Sequence, residues 1–363
     1  MAYIVVETGL GADAYRGIYK WIGHFKGGLA TATIGGSTAM AAVTGIGAST
    51  IGIGLIAVPE MRKFKYDDGL AAGAIAAGST LGPMIPPSIG FIIFGILAQE
   101  SIGKLFIAGI IPGLLLAISF VLVIMIQCGL NPKLGPPGEK SSWNERIRVL
   151  PSLAPIILLF LIIIGGIYVG IFSPMEGGAI GAIMTWVIAL FLRRVTWKNF
   201  KSAILESMKF ICMTLIIIGC GMAFGNSLAT TGLSMQIVEA TKEAGLSPLV
   251  FILFIMVIYL IFGIICDAPI ILILTTPILA PALKGMGVDL IWFGVLATLV
   301  VNVGTITPPY AMSIFMLRSL AMKDVSLGVM FRGVIPFCIS SFIVAVLIII
   351  FPAIATWLPE LMK

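Results

Sequence analysis

Gly82-Pro83-Met84-Ile85-Pro86-Pro87 and Gly304-Thr305-Ile306-Thr307-Pro308-Pro309 are two versions of one interruption, set 222 positions apart inside long apolar stretches. Proline removes a backbone donor and clashes with the turn before it, so neither stretch runs as unbroken α-helix. The same offset pairs Pro59 with Pro281 and Asp67 with Asp289. With two residues of slippage, Gly109 and Pro112 pair with Gly333 and Pro336. In a bilayer, carbonyls freed by such a break are tolerated only where protein or a cavity satisfies them. Paired interruptions at corresponding places in two halves point to the substrate and ion sites of a secondary transporter.

Composition agrees. The 363 residues are 59% hydrophobic and 10% charged, against about 25% charged in a soluble domain. The chain reads as an all-α polytopic protein of the lipid bilayer. Its net charge of +6 does not suggest nucleic acid, because the basic residues sit in short loops between apolar runs. Cys128, Cys212, Cys220, Cys266 and Cys338 are scattered and form no CxxC, so they read as small packing residues rather than a disulfide framework or zinc site. The single histidine, His24, lies among Arg16, Lys20 and Lys26, which argues against a His-rich metal site and a Ser-His-Asp triad. No GxxxxGK[ST] loop is present, so the chain is not itself an ATPase. Residues 1–25 are neither a signal peptide nor a complete span. Neither catalytic residues nor a bound cofactor are expected.

Spanning needs about 20 apolar residues. Long spans are predicted at about 70–100, 105–128, 151–170, 175–192, 208–229, 290–317 and 333–358. Residues 27–59 and 249–281 are each interrupted midway, at Thr44-Gly45-Ile46-Gly47-Ala48-Ser49-Thr50 and at Cys266-Asp267-Ala268-Pro269. Each fits a re-entrant helical hairpin, with two full spans as the alternative. Either way the number of crossings is even. Four spans and one hairpin therefore separate the two broken transmembrane helices, which makes them antiparallel. The expectation is an inverted-topology repeat: residues 1–128 as the first copy, 129–150 as a cytoplasmic linker, and 151–363 as the second. Lys/Arg placement tests this independently. Segments 16–26, 60–68, 129–150, 193–207 and 318–332 collect most of the basic residues and fall on one side. Segments 99–104, 171–174, 230–248 and 282–289, with Lys104, Lys242 and Lys284 among acids, fall on the other. The positive-inside rule makes the first side cytoplasmic. Thr196–Lys209, alternating lysines with Trp197, Phe200 and Leu205, suits an interfacial amphipathic helix.

Several runs carry a family resemblance. They are Gly78-Ser79-Thr80-Leu81-Gly82-Pro83-Met84-Ile85-Pro86-Pro87-Ser88, the stretch Ser101-Ile102-Gly103-Lys104 through Gly109-Ile110-Ile111-Pro112-Gly113, and Gly166-Ile167-Tyr168 through Ser173-Pro174-Met175-Glu176. Leu272-Ile273-Leu274-Thr275-Thr276-Pro277 through Pro281 and Ile306-Thr307-Pro308-Pro309 complete the set. Together they resemble the large membrane (permease) subunit of tripartite ATP-independent periplasmic (TRAP) transporters, over nearly the whole chain. The resemblance implies a Na⁺-coupled importer of small organic anions, such as C4-dicarboxylates or sugar acids, in the bacterial inner membrane. It implies two protein partners, a small membrane subunit and a periplasmic substrate-binding protein. It also implies a rigid scaffold carrying a moving transport domain. Relative to the family the chain reads as short by roughly two spans before Met1, and its first hairpin tip lacks the usual Gly-Ser-Ser pattern. A stand-alone ion-coupled carboxylate transporter is the alternative within transport. An intramembrane enzyme would need a convergent pair of acids or a Ser/His dyad, and a channel is disfavoured by the inverted repeat.

Sodium takes several oxygen ligands, which unwound turns and helix C-termini supply, while helix N-termini favour an anion. One candidate site combines Thr44, Gly45 and Ser49 of the first hairpin with Ser79, Thr80 and Gly82. The other combines Asp267 with Gly304, Thr305 and Thr307. Any one of these hydroxyls could instead bond its own or a neighbouring helix. Asp267 reads equally as a functional intramembrane acid and as an N-cap before Ala268-Pro269. Glu176, three residues after Ser173, reads as half of a capping box. The pairs Gly69/Gly73, Gly78/Gly82 and Gly221/Gly225 read as close-packing sites.

Overall fold

The computed structural model describes residues 1–362 apart from Ala244; the side chains of Ala48, Ser49, Asn226, Ala229, Leu233, Ser234, Ala240 and Lys242 lie outside that description. Expectations placed on the side chains of Ser49 and Lys242 therefore fall outside the described residues. Among the described residues every regular element is helical. Before the first interrupted helix come α1 (Ala2–Glu7), α2 (Leu10–Ile22), α3 (Gly28–Thr44), α4 (Gly47–Ile51) and α5 (Gly54–Lys63). The first interrupted helix is α6 (Asp68–Met84) and α7 (Ile89–Ala98), followed by the long α8 (Ile102–Leu130), α9 (Trp143–Val169), α10 (Pro174–Phe191) and α11 (Trp197–Thr230). Then come α12 (Leu233–Glu243), α13 (Pro248–Ile265) and α14 (Ala268–Gly285), the second interrupted helix α15 (Leu290–Gly304) and α16 (Met312–Ala321), and finally α17 (Leu327–Ile350) and α18 (Ala353–Glu360).

Eight of these stretches are long and apolar enough to cross a membrane, counting Asp68–Ala98 as one. The chain is thus an all-helical, polytopic membrane protein. Side chains on α9, α10 and α11 are largely exposed, as apolar helices facing lipid or another chain would be, whereas α6 is enclosed. All of α6 except Asp68 and Pro83 is buried, and its sequence is mostly alanine and glycine. Small residues let backbones approach closely. A β-carbon at Gly73 would meet the Gly333 carbonyl of α17, and one at Gly78 would meet the Ser37 hydroxyl of α3. Gly221 and Gly225 of α11 likewise lie against Ile273 and Pro277 of α14. The glycine pairs are packing sites, as their spacing suggested.

Element ends follow local chemistry. Ser173 and Glu176 form the expected capping box at the start of α10. A second box, Ser142 with Glu145, starts α9 at Trp143, inside the stretch read as linker, so the non-helical connection narrows to residues 131–142. The amphipathic Thr196–Lys209 stretch is not a separate helix; it continues without a break into the apolar part of α11. Its 34 residues run about 51 Å. The last apolar stretch divides at Phe351-Pro352, where proline withholds a donor and α18 begins.

The basic segments are tied to one another. Arg62 bonds Asp68 at 3.1 Å and Asp324 at 2.8 Å, Lys63 pairs with Glu139 at 3.9 Å, and Lys20 pairs with Glu145 at 3.4 Å. Arg194 pairs with Asp13. Backbone bonds join Asp67 to Leu134 at 3.0 Å and Gly138 to Gly23 at 2.9 Å. At exposed Asp324 the hydrogen bond from Arg62 holds the carboxyl below its ordinary value.

Candidate functional site

The α3–α4 and α13–α14 turns and the two breaks meet around one cavity of about 150 Å³, far above the ~15 Å³ a single water needs. The first tip forms because α3 stops at Gly45, whose left-handed φ of +64° suits glycine. A β-carbon at Gly45 would also strike the carbonyl oxygen of Pro87 in the first break. Ile46 is extended, and α4 restarts at Gly47. The second tip is an extended Cys266 followed by Asp267, whose Oδ1 accepts from the Ala268 N–H at 2.9 Å. Asp267 is thus an N-cap and also stands on the cavity wall. The N-cap reading is observed, and the position on the cavity wall leaves the functional reading open.

Each break ends one helix and begins another. After Met84 the chain is extended at Ile85, and α7 restarts at Ser88, whose hydroxyl donates to the Pro83 carbonyl and accepts from Phe91 N at 3.3 Å. After Gly304 a tight turn carries the chain to Ala311, and Ser313 N donates to Thr305 O at 3.2 Å. Both Pro86-Pro87 and Pro308-Pro309 bonds are cis. In each break a glycine is pressed against a hairpin glycine. A β-carbon on Gly82 would lie 2.7 Å from Gly47 N, and one on Gly304 would lie 2.5 Å from Gly263 Cα.

Of the candidates, Gly45, Ser79, Asp267 and Thr305 line the cavity together, so residues from both expected sites share one space. Ser79 Oγ lies 3.0 Å from Ser313 Oγ, joining the first broken helix to the second. Gly82 and Gly304 stand behind the wall, setting how closely the breaks approach the hairpins. Thr44, Thr80 and Thr307 are not on the wall. Their hydroxyls donate to Met40 O (2.8 Å), Ala77 O (2.7 Å) and Val303 O (2.7 Å), each within or beside its own helix. Asn302, Ser313 and Phe210 line the cavity and were not singled out from sequence. Asn302, which donates to Thr298 O at 2.6 Å, was detectable as an amide inside the run Val300-Val301-Asn302-Val303. Ser313 and Phe210 carried no local signal.

The helix ends decide the electrostatics. α7, α14 and α16 begin at this cavity, through Ile89 and Gly90, Ala268 and Pro269, and Met312 and Ser313. Their dipoles favour an anion, although at α14 Asp267 takes the Ala268 N–H and Pro269 has none, and at α16 Ser313 N is taken by Thr305 O. α3, α6 and α15 end beside it, at Gly45, Pro83 and Thr305, offering carbonyl oxygens to a cation. Asp267 is the one charged side chain on the described wall. Among the described residues no group of three His, Cys, Asp or Glu could hold a metal ion, so a cation here would depend on backbone, hydroxyl and amide oxygens with one carboxylate.

Paired interrupted helices around a mostly apolar cavity with a few polar groups, inside an apolar bundle, are the pattern of a membrane transporter. The particular family follows from comparison: the model for the tripartite ATP-independent periplasmic transporter, DctM component, matches residues 1–354, and the chain belongs to that family of multi-pass proteins of the bacterial inner membrane. Similar proteins include the sialic acid TRAP transporter permease protein SiaT of Haemophilus influenzae, 33% identical over 94% of this chain and 55% of its own length. The C4-dicarboxylate large permease protein DctM of Pseudomonas aeruginosa is 32% identical over 93% of this chain and 79% of its own. The ectoine large permease protein TeaC of Halomonas elongata is 35% identical over 95% and 80%. The chain therefore spans about half the length of the first and about four fifths of the other two.

Proposed function

We propose that this chain is the permease subunit of a Na⁺-coupled, binding-protein-dependent secondary transporter that imports a small organic anion. The observation that carries this reading is the convergence of helix starts and helix ends on one cavity. The starts bind the substrate's carboxylate, and the ends, with Asp267, Ser79, Thr305 and the Asn302 amide, bind the coupling ion. Relatives named for sialic acid and C4-dicarboxylate transport support the substrate class. Partners are a small membrane subunit and a periplasmic binding protein, the second of which selects the solute.

The fold read with this function is an inverted-topology repeat. The α3–α5 and α13–α14 regions are re-entrant hairpins, and α6–α7 and α15–α16 are broken spans. Four long helices, α8 to α11, separate the first broken span from the second hairpin, in keeping with antiparallel copies. The network from Lys20, Arg62, Lys63 and Arg194 to Glu145, Asp324, Glu139 and Asp13 gathers the basic segments at one end, which supports a cytoplasmic face there.

The test is solute uptake into proteoliposomes containing the complete three-component transporter, using the ligand found in its purified binding protein. Uptake should require an inward Na⁺ gradient and no ATP. Uptake unchanged when choline replaces Na⁺ would reject Na⁺ coupling.

A further inference from the structure

We propose that the α16 side of the cavity is the route by which the anion leaves, and that Arg318 and Lys323 make the mouth of this route anion-selective. The inference rests on the reading of the chain as an anion permease and adds the path and the charges along it. Three hollows follow one another on α16. Met312 and Met316 line the central cavity and also a second hollow of about 440 Å³. Phe315 and Ser319 line that second hollow and a third, of about 320 Å³, whose other walls are Arg318 and Lys323. Met312, Phe315, Met316 and Ser319 are spaced i, i+3, i+4 and i+7, so they form one stripe of the helix. The stripe runs about 10 Å from the cavity to the basic end. Methionine, unbranched and flexible, suits a wall that must yield to a passing solute.

The charges at the far end are available. Among the described residues neither Arg318 nor Lys323 forms an ion pair, and the neighbouring Asp324 is engaged by Arg62 at 2.8 Å. Arg318 Nε donates to Val325 O at 3.2 Å, which holds the guanidinium beside the 322–326 turn. No described residue accepts from its Nη groups. Among the described residues no cationic side chain lines the central cavity. An anion moving along the stripe therefore passes from helix dipoles to two full charges in a water-exposed mouth. There the attraction is strong enough to select by sign and weak enough, in high dielectric, to release.

The experiment reads access and charge preference, not transport. Met316→Cys and, separately, Ser319→Cys are introduced into the chain with its own cysteines replaced, in membrane vesicles of both orientations. Modification rates are measured with anionic sulfonatoethyl and cationic trimethylammonioethyl methanethiosulfonates, each normalised to a free thiol in solution. Both introduced thiols should react from the basic-loop face, with the anionic reagent favoured. Arg318→Gln with Lys323→Gln should lower the anion-to-cation ratio about tenfold at low salt, and Arg318→Lys with Lys323→Arg should leave it within about twofold. An unchanged ratio in the neutralised variant overturns the proposal. So does failure of the Met316→Cys thiol to react from either side while the Ser319→Cys thiol does, because the stripe would then not be a path. A Na⁺-independent uptake result would reject the coupling and leave this labelling pattern standing.

Discussion

Replacing Gly304 with alanine tests whether the second break depends on contact with the second hairpin. The added β-carbon would stand 2.5 Å from both Cα and C of Gly263 and 3.0 Å from Ile264 N. Non-bonded carbons settle at about 3.5–4.0 Å, so α13 and α15 must part by about 1 Å. Every neighbour is backbone, and no side chain can rotate aside. Overpacking of this kind costs about 1–3 kcal/mol. The better helix propensity of alanine returns up to about 1 kcal/mol, less at the last residue of α15, so the net loss is about 1–2 kcal/mol. Thermal unfolding of the purified chain in detergent should fall by several degrees. Because α13 carries Asp267 toward Thr305, Na⁺-dependent uptake should fall at least tenfold. The control is Gly165→Ala in α9, where nothing lies within 4 Å of the new methyl group. A Gly304→Ala protein that melts within about a degree of the Gly165→Ala protein and transports normally would refute the reasoning.

Three further outcomes follow from the same geometry. Asp267→Asn keeps an oxygen to accept from Ala268 N, so the helix start should survive while the Na⁺ concentration for half-maximal uptake rises at least tenfold; an unshifted Na⁺ dependence counts against a carboxylate ligand. Ser79→Ala and Ser313→Ala remove either end of the 3.0 Å bond between the two broken helices, and a double-mutant cycle in denaturation should return a coupling of about 1 kcal/mol, with strict additivity as the contrary result. Asp324 is held below its ordinary carboxyl value by Arg62, so its contribution is complete above about pH 4 and is lost as pH falls through the lowered value. The difference in unfolding midpoint between the natural chain and Asp324→Asn should be present at pH 6 and shrink as pH falls below the ordinary carboxyl range.

The breaks were legible because proline and glycine act locally: Gly82 with Pro86-Pro87, and Gly304 with Pro308-Pro309, cannot be continuous helix whatever surrounds them. The tips were legible for a similar reason, at Gly45 and at Asp267. Helix starts were less so. The Ser142–Glu145 box has the same spacing as Ser173–Glu176, yet the charged Arg146 and Arg148 that follow it obscured the apolar run behind. At the site, residue type was a poor guide to which hydroxyls face the cavity. Thr44, Thr80 and Thr307 bond toward carbonyls of the preceding turn, a choice made by side-chain rotation that local sequence does not display. Phe210 and Ser313 reach the cavity from distant parts of the chain, and only tertiary packing brings them there.

The enclosure of α6 has an evolutionary consequence. A helix built of alanine and glycine and buried on nearly all sides has no direction in which a side chain can grow. Variation there is confined to exchange among the smallest residues, so Ala71, Ala74 and Ala77 should tolerate serine or glycine and reject leucine. Where they face lipid, the exposed flanks of α9 and α11 can drift among Leu, Ile, Val, Phe and Met. A saturation-mutagenesis map of the chain should accordingly show its sharpest band along residues 69–82, in a segment without a single conventional large core side chain between Ile75 and Leu81.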